Sequence, residues 1–242
     1  MKNSSVKFKW LCFIFACVFF VSGLFIKFFG GQKSAAGHTE IPFVVVIDAG
    51  HGGIDGGVTG KTSGVCESEI NLEIAKRLEK LFSNAGFTVV MTRKNSGGLY
   101  GIAASGYKKR DMQKRAEIIK SANPNLFISV HQNFFTDSSR SGAQAFFFAE
   151  KDKEFALCMQ NKLNKMTTAK RAYQTLFGDY FVLKQADCPS CLVECGFLSN
   201  ETDEKLLLTE SHRQYVAETL FAGALDYLTA SGGINKGGKN AG

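Results

Sequence analysis

Outside its N-terminus the sequence lacks an excess of charge of either sign. The 242-residue chain has a formal net charge of +7, from 29 basic and 22 acidic residues. Residues 1–33 contain no acid and hold five of the bases: Lys2, Lys7, Lys9, Lys27 and Lys33. Residues 34–242 therefore carry 24 bases against 22 acids. Because nucleic-acid binding requires a basic surface, we expect no nucleic-acid partner.

The sequence also lacks the cysteine pattern of a disulfide-stabilised protein. Five of its seven cysteines lie outside the N-terminal apolar stretch: Cys66, Cys158, Cys188, Cys191 and Cys195. An odd, clustered set is not a disulfide framework, and the single CxxC spacing at Cys188 and Cys191 is weak evidence of a metal site. Strand alternation predicts that Cys195 points into the core, and we expect Cys66 to be a buried or free thiol.

A phosphate-binding loop is missing as well. The stretch VVVIDAGHGGIDGG, residues 44–57, places a histidine among glycines after an apolar run. A Walker loop would need a lysine and a hydroxyl residue after its last glycine, and a dinucleotide-binding loop would open a helix directly. Neither condition is met. The glycines instead allow close backbone approach and leave room for a ligand beside His51.

One long apolar run is present, near the N-terminus. Residues 10–26, WLCFIFACVFFVSGLFI, contain no charge and follow three lysines. This order is typical of a signal sequence or signal anchor whose basic end stays in the cytoplasm. We predict an uncleaved membrane anchor over residues 1–29, while the small residues that follow it would also permit cleavage. Residues 30–41 are predicted to be a polar linker.

The rest of the chain alternates predicted strands with predicted helices. Short apolar runs predict strands at residues 43–48, 87–93, 125–131, 142–149, 180–184 and 191–197. Helical spacing predicts helices at residues 69–85, 111–121, 153–166 and 215–228. This pattern indicates an α/β fold: a single domain, residues 42–229, with a mostly parallel twisted sheet flanked by helices on both faces. Residues 230–242 are predicted to form a flexible tail.

Polar side chains stand at the ends of several of these strands. His51 follows the first strand, His131 ends the third and Glu194 lies within the last. Glu67 precedes the first helix or lies in its first turn. Because functional groups in parallel sheets gather at the carboxyl ends of strands, we expect these four residues to converge at one edge of the sheet.

These residue types suit a metal site. The chain has only four histidines, and two of them, His38 in the linker and His212 in a polar stretch, are expected to be solvated. A lone histidine at a strand end usually only makes a hydrogen bond. Two such histidines with nearby acids instead favour a hydrolytic zinc site, which has three protein ligands and an open position.

The acids are assigned less directly than the histidines. Glu67 and Glu69 are both candidates for the carboxylate ligand, and either could instead interact with the helix dipole. Glu194 lies within an otherwise apolar strand, where an uncompensated acid is costly to bury. We therefore expect Glu194 to face the site, where a carboxylate beside a metal-activated water would serve as a general base.

Four motifs together resemble a known enzyme family. IDAGHGGIDGG, ESEINL, FISVHQN and LVECGFLSN occur in order within residues 43–229, and they resemble the zinc-dependent N-acetylmuramoyl-L-alanine amidases of the amidase-3 class. The resemblance implies zinc bound by His51, Glu67 and His131, and thus favours Glu67 over Glu69. It implies that Glu194 is the catalytic acid/base. Ser68 and Gln132 depart from the usual motifs and are expected to alter only the rim of the site.

The resemblance also implies a substrate and a cellular setting. These amidases hydrolyse the bond between the lactyl group of N-acetylmuramic acid and L-alanine in peptidoglycan, so we expect an extracytoplasmic, membrane-anchored or secreted enzyme. The segment GYKKRDMQKRAEIIKSAN and the domain layout are most similar to the spore-cortex amidases, which help to form muramic-δ-lactam. The loop Asn95–Tyr107 is too short for the long plugging helix of division amidases. The site is therefore expected to be open or controlled by a protein partner.

Four further polar residues lie near these motifs, and the sequence alone does not assign them to the site. Asp48 could orient a ligand histidine from behind, whereas Asp55 would simply make a turn. Asn133 could orient the substrate or the histidine, and it could equally be a turn residue. Arg115 is expected to be structural.

Overall fold

The structure is a computed structural model that describes residues 42–166 and 172–233. The predicted anchor and linker, His38 and the end of the predicted tail lie outside these residues. Among the helices of the described ranges, none combines the length and the apolar composition needed to cross a membrane.

Six strands form one sheet in the order β2-β1-β3-β6-β4-β5. They are β1 (Val44–Ala49), β2 (Thr88–Met91), β3 (Leu126–Asn133), β4 (Gln144–Phe147), β5 (Leu176–Phe177) and β6 (Ser190–Phe197). The central pairs β1–β2, β1–β3 and β3–β6 are parallel, β4 runs antiparallel to β6, and β5 is parallel to β4. The predicted α/β class with a mostly parallel sheet is confirmed.

Within the described residues, five α-helices cover the sheet: α1 (Glu67–Asn84), α2 (Tyr107–Ala122), α3 (Lys153–Leu163), α4 (Glu201–Leu207) and α5 (Glu210–Ala230). The four predicted helices correspond to α1, α2, α3 and α5, with ends displaced by a few residues. Helix α4 was not predicted, because two turns are too short for a clear period. Asn200 fixes its start by accepting hydrogen bonds from the backbone N–H groups of Thr202 and Asp203, as N-cap residues do.

The predicted strand at residues 180–184 is wrong. This stretch forms a turn followed by a short 3-10 helix, Leu183–Gln185. Val182 and Leu183 are buried against one face of the sheet. A short apolar run does not by itself distinguish a strand from a buried turn, and here the run packs onto the sheet instead of pairing with a strand.

Alternate residues of the central strands enter two separate cores. On one face, Val45, Ile128 and Val193 pack with α1, α3 and α5, and we call this the large core. On the other face, Val46, Phe127 and Leu192 pack with Ile119 of α2 and with the turn at residues 182–188, and we call this the small core. The period-2 alternation of buried strands therefore places helices on both faces.

The cysteines of the described ranges are free. Cys191 and Cys195 belong to the large core, as predicted for Cys195, whereas Cys188 belongs to the small core. The CxxC pair is thus divided between two cores and does not form a metal site.

Candidate metal centre

Three side chains meet at the carboxyl edge of the sheet. The ligand atoms of His51, Glu67 and His131 all lie within 4.8 Å of one another, an arrangement that could hold a metal ion. The two imidazole rings are 5.1 Å apart between centroids and nearly perpendicular. Glu69, the other candidate acid, is solvent-exposed and lies outside this cluster.

The glycines of the first motif make room for these side chains. His51 itself has a left-handed backbone with φ of 61°, which is uncommon for a residue other than glycine. A Cβ atom at Gly50 would overlap the ring of His131, and one at Gly57 would overlap the Glu67 carboxylate and the His51 ring. These positions therefore need glycine for close approach of the candidate ligands.

Glu67 is the first residue of α1 and is only 2% exposed. Its Oε1 accepts hydrogen bonds from Asn71 Nδ2 and the Gln132 backbone N–H, both at 3.1 Å. Its Oε2 accepts one from the Val58 backbone N–H at 3.0 Å. These donors hold the carboxylate in one orientation.

The same carboxylate lies between the two histidines. Glu67 Oε1 is 2.9 Å from His131 Nδ1, and Oε2 is 3.3 Å from His51 Nε2. Burial by itself would raise the pKa of Glu67, but hydrogen bonds to the two imidazoles reverse this and lower it well below its usual range. The candidate ligand is therefore ionised, as metal binding requires.

Asp55, and not Asp48, contacts His51, and the turn suggested for Asp55 is also present. Asp55 Oδ2 lies 3.0 Å from His51 Nδ1, so Asp55 contacts the candidate ligand, besides closing the turn through its backbone bonds with Gly52. Burial opposes protonation of His51, but Glu67 and Asp55 outweigh it and raise the pKa of His51 to about 9. The raised pKa favours the protonated imidazole, so a metal ion that used His51 as a ligand would have to displace a proton.

Asp48 pairs with a buried arginine and has no hydrogen bond to either histidine. Arg115 donates from Nη1 to Asp48 and from Nε to Asp111, 2.7 Å away, and it is 2% exposed. It also donates to the backbone carbonyls of Ala49 and His51. Arg115 is structural, as predicted, because it fixes the backbone that carries His51.

Arg93 supports the same backbone and was missed in the sequence. Its guanidinium donates to the carbonyls of Ala49 at 2.8 Å, Gly50 at 2.9 Å and Ser68 at 2.7 Å. Its only sequence signal is its position after β2, in the predicted strand at residues 87–93. Arg93 thus ties the His51 turn to the start of α1.

The two motif departures, Ser68 and Gln132, are not exposed at the rim of the site. Both side chains are buried. Gln132 Nε2 donates to Asn71 Oδ1, and Asn71 in turn donates to Glu67. Gln132 is therefore part of the support of the candidate carboxylate ligand.

Glu194 lies beside the cluster on β6, directly opposite His131 on β3. Its Oε2 is buried and has no hydrogen-bond partner within residues 42–166 and 172–233. Burial raises the pKa of Glu194 to about 7. A cation bound nearby would favour the carboxylate and lower this value. Glu194 lines the same cavity as the cluster, so its carboxyl group is placed for proton transfer.

A cavity of about 390 Å³ lies in front of these residues. The cluster and Glu194 line one part of it, and three aromatic side chains, Phe134, Tyr180 and Phe181, line another. Asn133, at the end of β3, also lines it. His212, by contrast, is half-buried on α5 and does not belong to the cluster.

This combination defines a class of enzyme. Two imidazoles and one carboxylate at an open cavity, with an acid beside them, are the arrangement that metal-dependent hydrolases use. Residues 45–226 match the Amidase_3 family, described as N-acetylmuramoyl-L-alanine amidase. The chain belongs to this family of enzymes, which act on peptidoglycan.

Several relatives agree with this assignment. The chain is 29% identical over 236 residues to the germination-specific N-acetylmuramoyl-L-alanine amidase of Bacillus subtilis, covering 93% of this chain and 97% of that protein. It is 30% identical over 189 residues to the probable cell wall amidase LytH of Staphylococcus epidermidis, covering 77% and 58%. The CwlD amidase of Clostridioides difficile, solved in complex with the GerS lipoprotein, is 34% identical with a TM-score of 0.74, and the match covers 78% of this chain and 99% of that one.

Proposed function

We propose that this amidase is zinc-dependent and uses His51, Glu67 and His131 as ligands and Glu194 as its catalytic acid/base. The observation that carries the proposal is the three ligand atoms within 4.8 Å, with the unpaired Glu194 Oε2 beside them. Two nitrogens and one oxygen form a donor set that suits zinc. His51 would present Nε2, because its Nδ1 faces Asp55, and His131 would present Nδ1, which faces Glu67.

The chain's own residues then account for the proton transfers. A bound zinc ion supplies Lewis acidity to the scissile carbonyl and makes a water molecule acidic enough to attack near neutral pH. Glu194 removes a proton from the attacking water as the bond from oxygen to the lactyl carbonyl carbon forms. It then delivers that proton to the nitrogen of L-alanine as the carbon–nitrogen bond breaks. The products are a lactyl carboxylate on the glycan and a stem peptide with a free amino terminus.

The variant Glu194→Gln tests the role of the acid. It should retain zinc and its fold but lower kcat by roughly 10²–10⁴-fold, because the amide side chain cannot accept the proton. Mass spectrometry of digested wall, with and without a chelator, should find free stem peptides that begin with alanine for the wild type only. Wild-type rates in the purified variant would contradict this role, and shortened stems still attached to glycan would indicate a peptidase.

We further propose that the enzyme acts in the spore cortex and contributes to muramic-δ-lactam formation. Its match to a germination-specific amidase over nearly the full length of both chains supports this. The loop between β2 and α2 contains no helix that could plug the cavity. Muropeptide analysis of cortex from spores that lack the gene should show loss of muramic-δ-lactam, and an unchanged δ-lactam content would contradict the proposal.

The setting proposed for the enzyme is the outer side of a membrane. We propose that residues 1–29 anchor it there and that a lipoprotein partner regulates it, since the related CwlD amidase was solved with the GerS lipoprotein. Fractionation of cells that express the full chain, compared with a chain starting at residue 30, tests the anchor. Recovery of the full chain in the soluble fraction would contradict it.

A further inference from the structure

We infer that an exposed aromatic surface beside the cavity binds the glycan strand of peptidoglycan. This inference rests on the proposed peptidoglycan amidase function and adds where the polymer lies. The surface, called here the aromatic track, consists of the exposed Leu176, Phe177 and Phe181 and the partly buried Phe146, Phe148 and Tyr180.

The track is continuous with the cavity. Tyr180 and Phe181 line the cavity together with Glu194. The ring of Tyr180 packs edge-on against Phe146, with centroids 5.5 Å apart, and Phe146 on β4 pairs with Leu176 on β5. A second contact, 5.7 Å between ring centroids, joins Phe148 to Phe177. The track therefore leads from the reacting groups to the outer edge of the sheet.

Much of this surface is apolar and open to solvent. Phe181 is 43% exposed, Leu176 47% and Phe177 62%. Contiguous exposed apolar patches on soluble domains mark interaction sites or ligand grooves. A patch that begins in the catalytic cavity is placed to contact the substrate that enters the cavity.

The track is also held in place by the fold. Gly178 donates its backbone N–H to the Phe147 carbonyl at 2.8 Å, which anchors the turn that carries Tyr180 and Phe181. A Cβ atom at Gly178 would overlap the Tyr180 ring. A binding surface that is ordered before the ligand arrives loses less entropy on binding.

The chemistry of the track favours sugar over peptide. Lys184 pairs with Asp179 and lies 5.1 Å from the centroid of Phe148. The six residues of the track are themselves uncharged, whereas a stem peptide carries several charges. Hexose rings instead present apolar C–H faces that pack on the faces of aromatic rings, whose quadrupole is negative there. Charged groups, Asp55 and Lys108, lie in another part of the site, where Asp55 lines the cavity.

The size of the cavity gives an independent reason to expect the glycan strand on the surface outside it. A volume of about 390 Å³ is near the lower end for small-ligand pockets. A glycan strand with stem peptides is a long polymer, so most of it has to lie outside the cavity on adjoining surface. The aromatic track is an adjoining surface whose chemistry matches that of the sugar rings.

Two matched variants test the track. Phe177→Ala removes its most exposed ring, and Tyr215→Ala removes a similarly exposed ring (45%) from α5, away from the cavity-lining residues. Hydrolysis is measured on high-molecular-weight peptidoglycan and on a soluble muramoyl-peptide fragment. Phe177→Ala should raise KM for the polymer by roughly 3- to 10-fold. This fold increase should be at least three times the fold increase in KM for the fragment. Tyr215→Ala should match the wild type on both.

A binding assay separates this inference from the catalytic proposal. In a Glu194→Gln background, co-sedimentation is measured with glycan strands from which the stem peptides have been removed. Adding Phe177→Ala, or Phe177→Leu to keep apolar bulk without the ring, should weaken sedimentation by a similar 3- to 10-fold. Undiminished binding by both double variants would overturn the inference even if wild-type hydrolysis is normal. Failure of the wild type to release stem peptides would instead count against the proposed function.

A protein occupant is the competing explanation. If Phe177→Ala abolished capture of a GerS-like lipoprotein and left polymer hydrolysis and glycan binding at wild-type levels, the track would be a protein interface and the inference would be wrong. Retained capture together with weakened glycan binding supports it.

Discussion

The two faces of the sheet differ in what they bury. The large core packs apolar side chains of β1, β3 and β6 against α1, α3 and α5. The opposite face has only the small core and then a buried polar group, in which Asp48 bonds to Arg115, Thr92 and Ser129. The same strands supply both faces. The comparison indicates that one face provides most of the stability, while the thinner face leaves room for the cavity and its aromatic track.

The largest expected effect comes from removing a ligand at the cavity edge. His131→Ala should lose stoichiometric zinc, and all amidase activity with it, because two ligands rarely hold a catalytic zinc ion. Elemental analysis of the purified protein measures this. His212→Ala is the matched control, since His212 lies on α5 outside the cluster. Full zinc content in the His131 variant would contradict its assignment as a ligand.

A cavity in the large core should affect stability and leave the site alone. Phe155 of α3 is fully buried, so Phe155→Ala should lower the free energy of unfolding by about 3–5 kcal/mol. Zinc affinity of the folded fraction should not change. Urea unfolding and chelator competition measure the two quantities. Phe181→Ala, at the exposed cavity wall, should change the unfolding free energy by only about 0.5 kcal/mol. An equal loss of stability in both variants would contradict the view that the large core provides most of the stability.

The buried polar group around Asp48, on the face of the small core, should make the stability of the protein depend on pH in the acid range. Burial by itself would raise the pKa of Asp48, but the Arg115 guanidinium and the hydroxyls of Ser129 and Thr92 help to lower it to about 2, from 3.8. Because the folded-state pKa is the lower one, this contribution is complete above pH 4 and is lost as pH falls toward 2. It amounts to about 2 kcal/mol.

Asp48→Asn tests this dependence. The variant should be less stable at neutral pH, since it leaves a buried guanidinium without its carboxylate. Between pH 4 and pH 2 its unfolding free energy should fall by about 2 kcal/mol less than that of the wild type. Urea titrations across this range measure the difference, and parallel pH profiles would show that Asp48 does not contribute.

The smallest expected effect concerns the contact behind His51. Asp55→Ala should weaken zinc binding by roughly 10- to 100-fold, because the imidazole loses the partner that orients it. Asp55→Asn keeps an oxygen acceptor and should recover most of the affinity. Lys108 lies 3.7 Å from Asp55, so Lys108→Ala separates orientation from local charge. Equal zinc affinity in the Asp55→Ala variant and the wild type would show that Asp55 does not support zinc binding.

Local patterns predicted the parts of the fold that depend on local periodicity. The runs at β1, β3 and β6 are mostly apolar, and helix α1 repeats its apolar residues every three or four positions, so the pattern predicts strands for the first three and a helix for the last. The strands at the edge of the sheet were harder to predict from the sequence. Strand β5 has only two residues, and the run at residues 180–184 is as apolar as a strand while its side chains pack as a turn.

In the candidate site, too, some residues could be recognised from local sequence patterns and others could not. His51, His131 and Glu194 are recognisable because two histidines and an acid occur together in or just after buried strands, and this combination favours a site. The partner of His51 was not, since Asp48 and Asp55 lie three residues before and four residues after it and only the turn places Asp55 against Nδ1. Arg93 was missed because the Gly50 and Ser68 carbonyls that it joins are distant from it in the chain.

The sequence by itself determined the alternation of strands and helices, the two-sided burial of the sheet and the candidate site residues at its carboxyl edge. These follow from periodic burial and from the ordered motifs. Only the tertiary structure decided which oxygen of Glu67 faces which histidine, which aspartate supports His51, and that the aromatic rings near residues 146–181 join the cavity. Those relations depend on contacts between residues far apart in the chain, which no local pattern specifies.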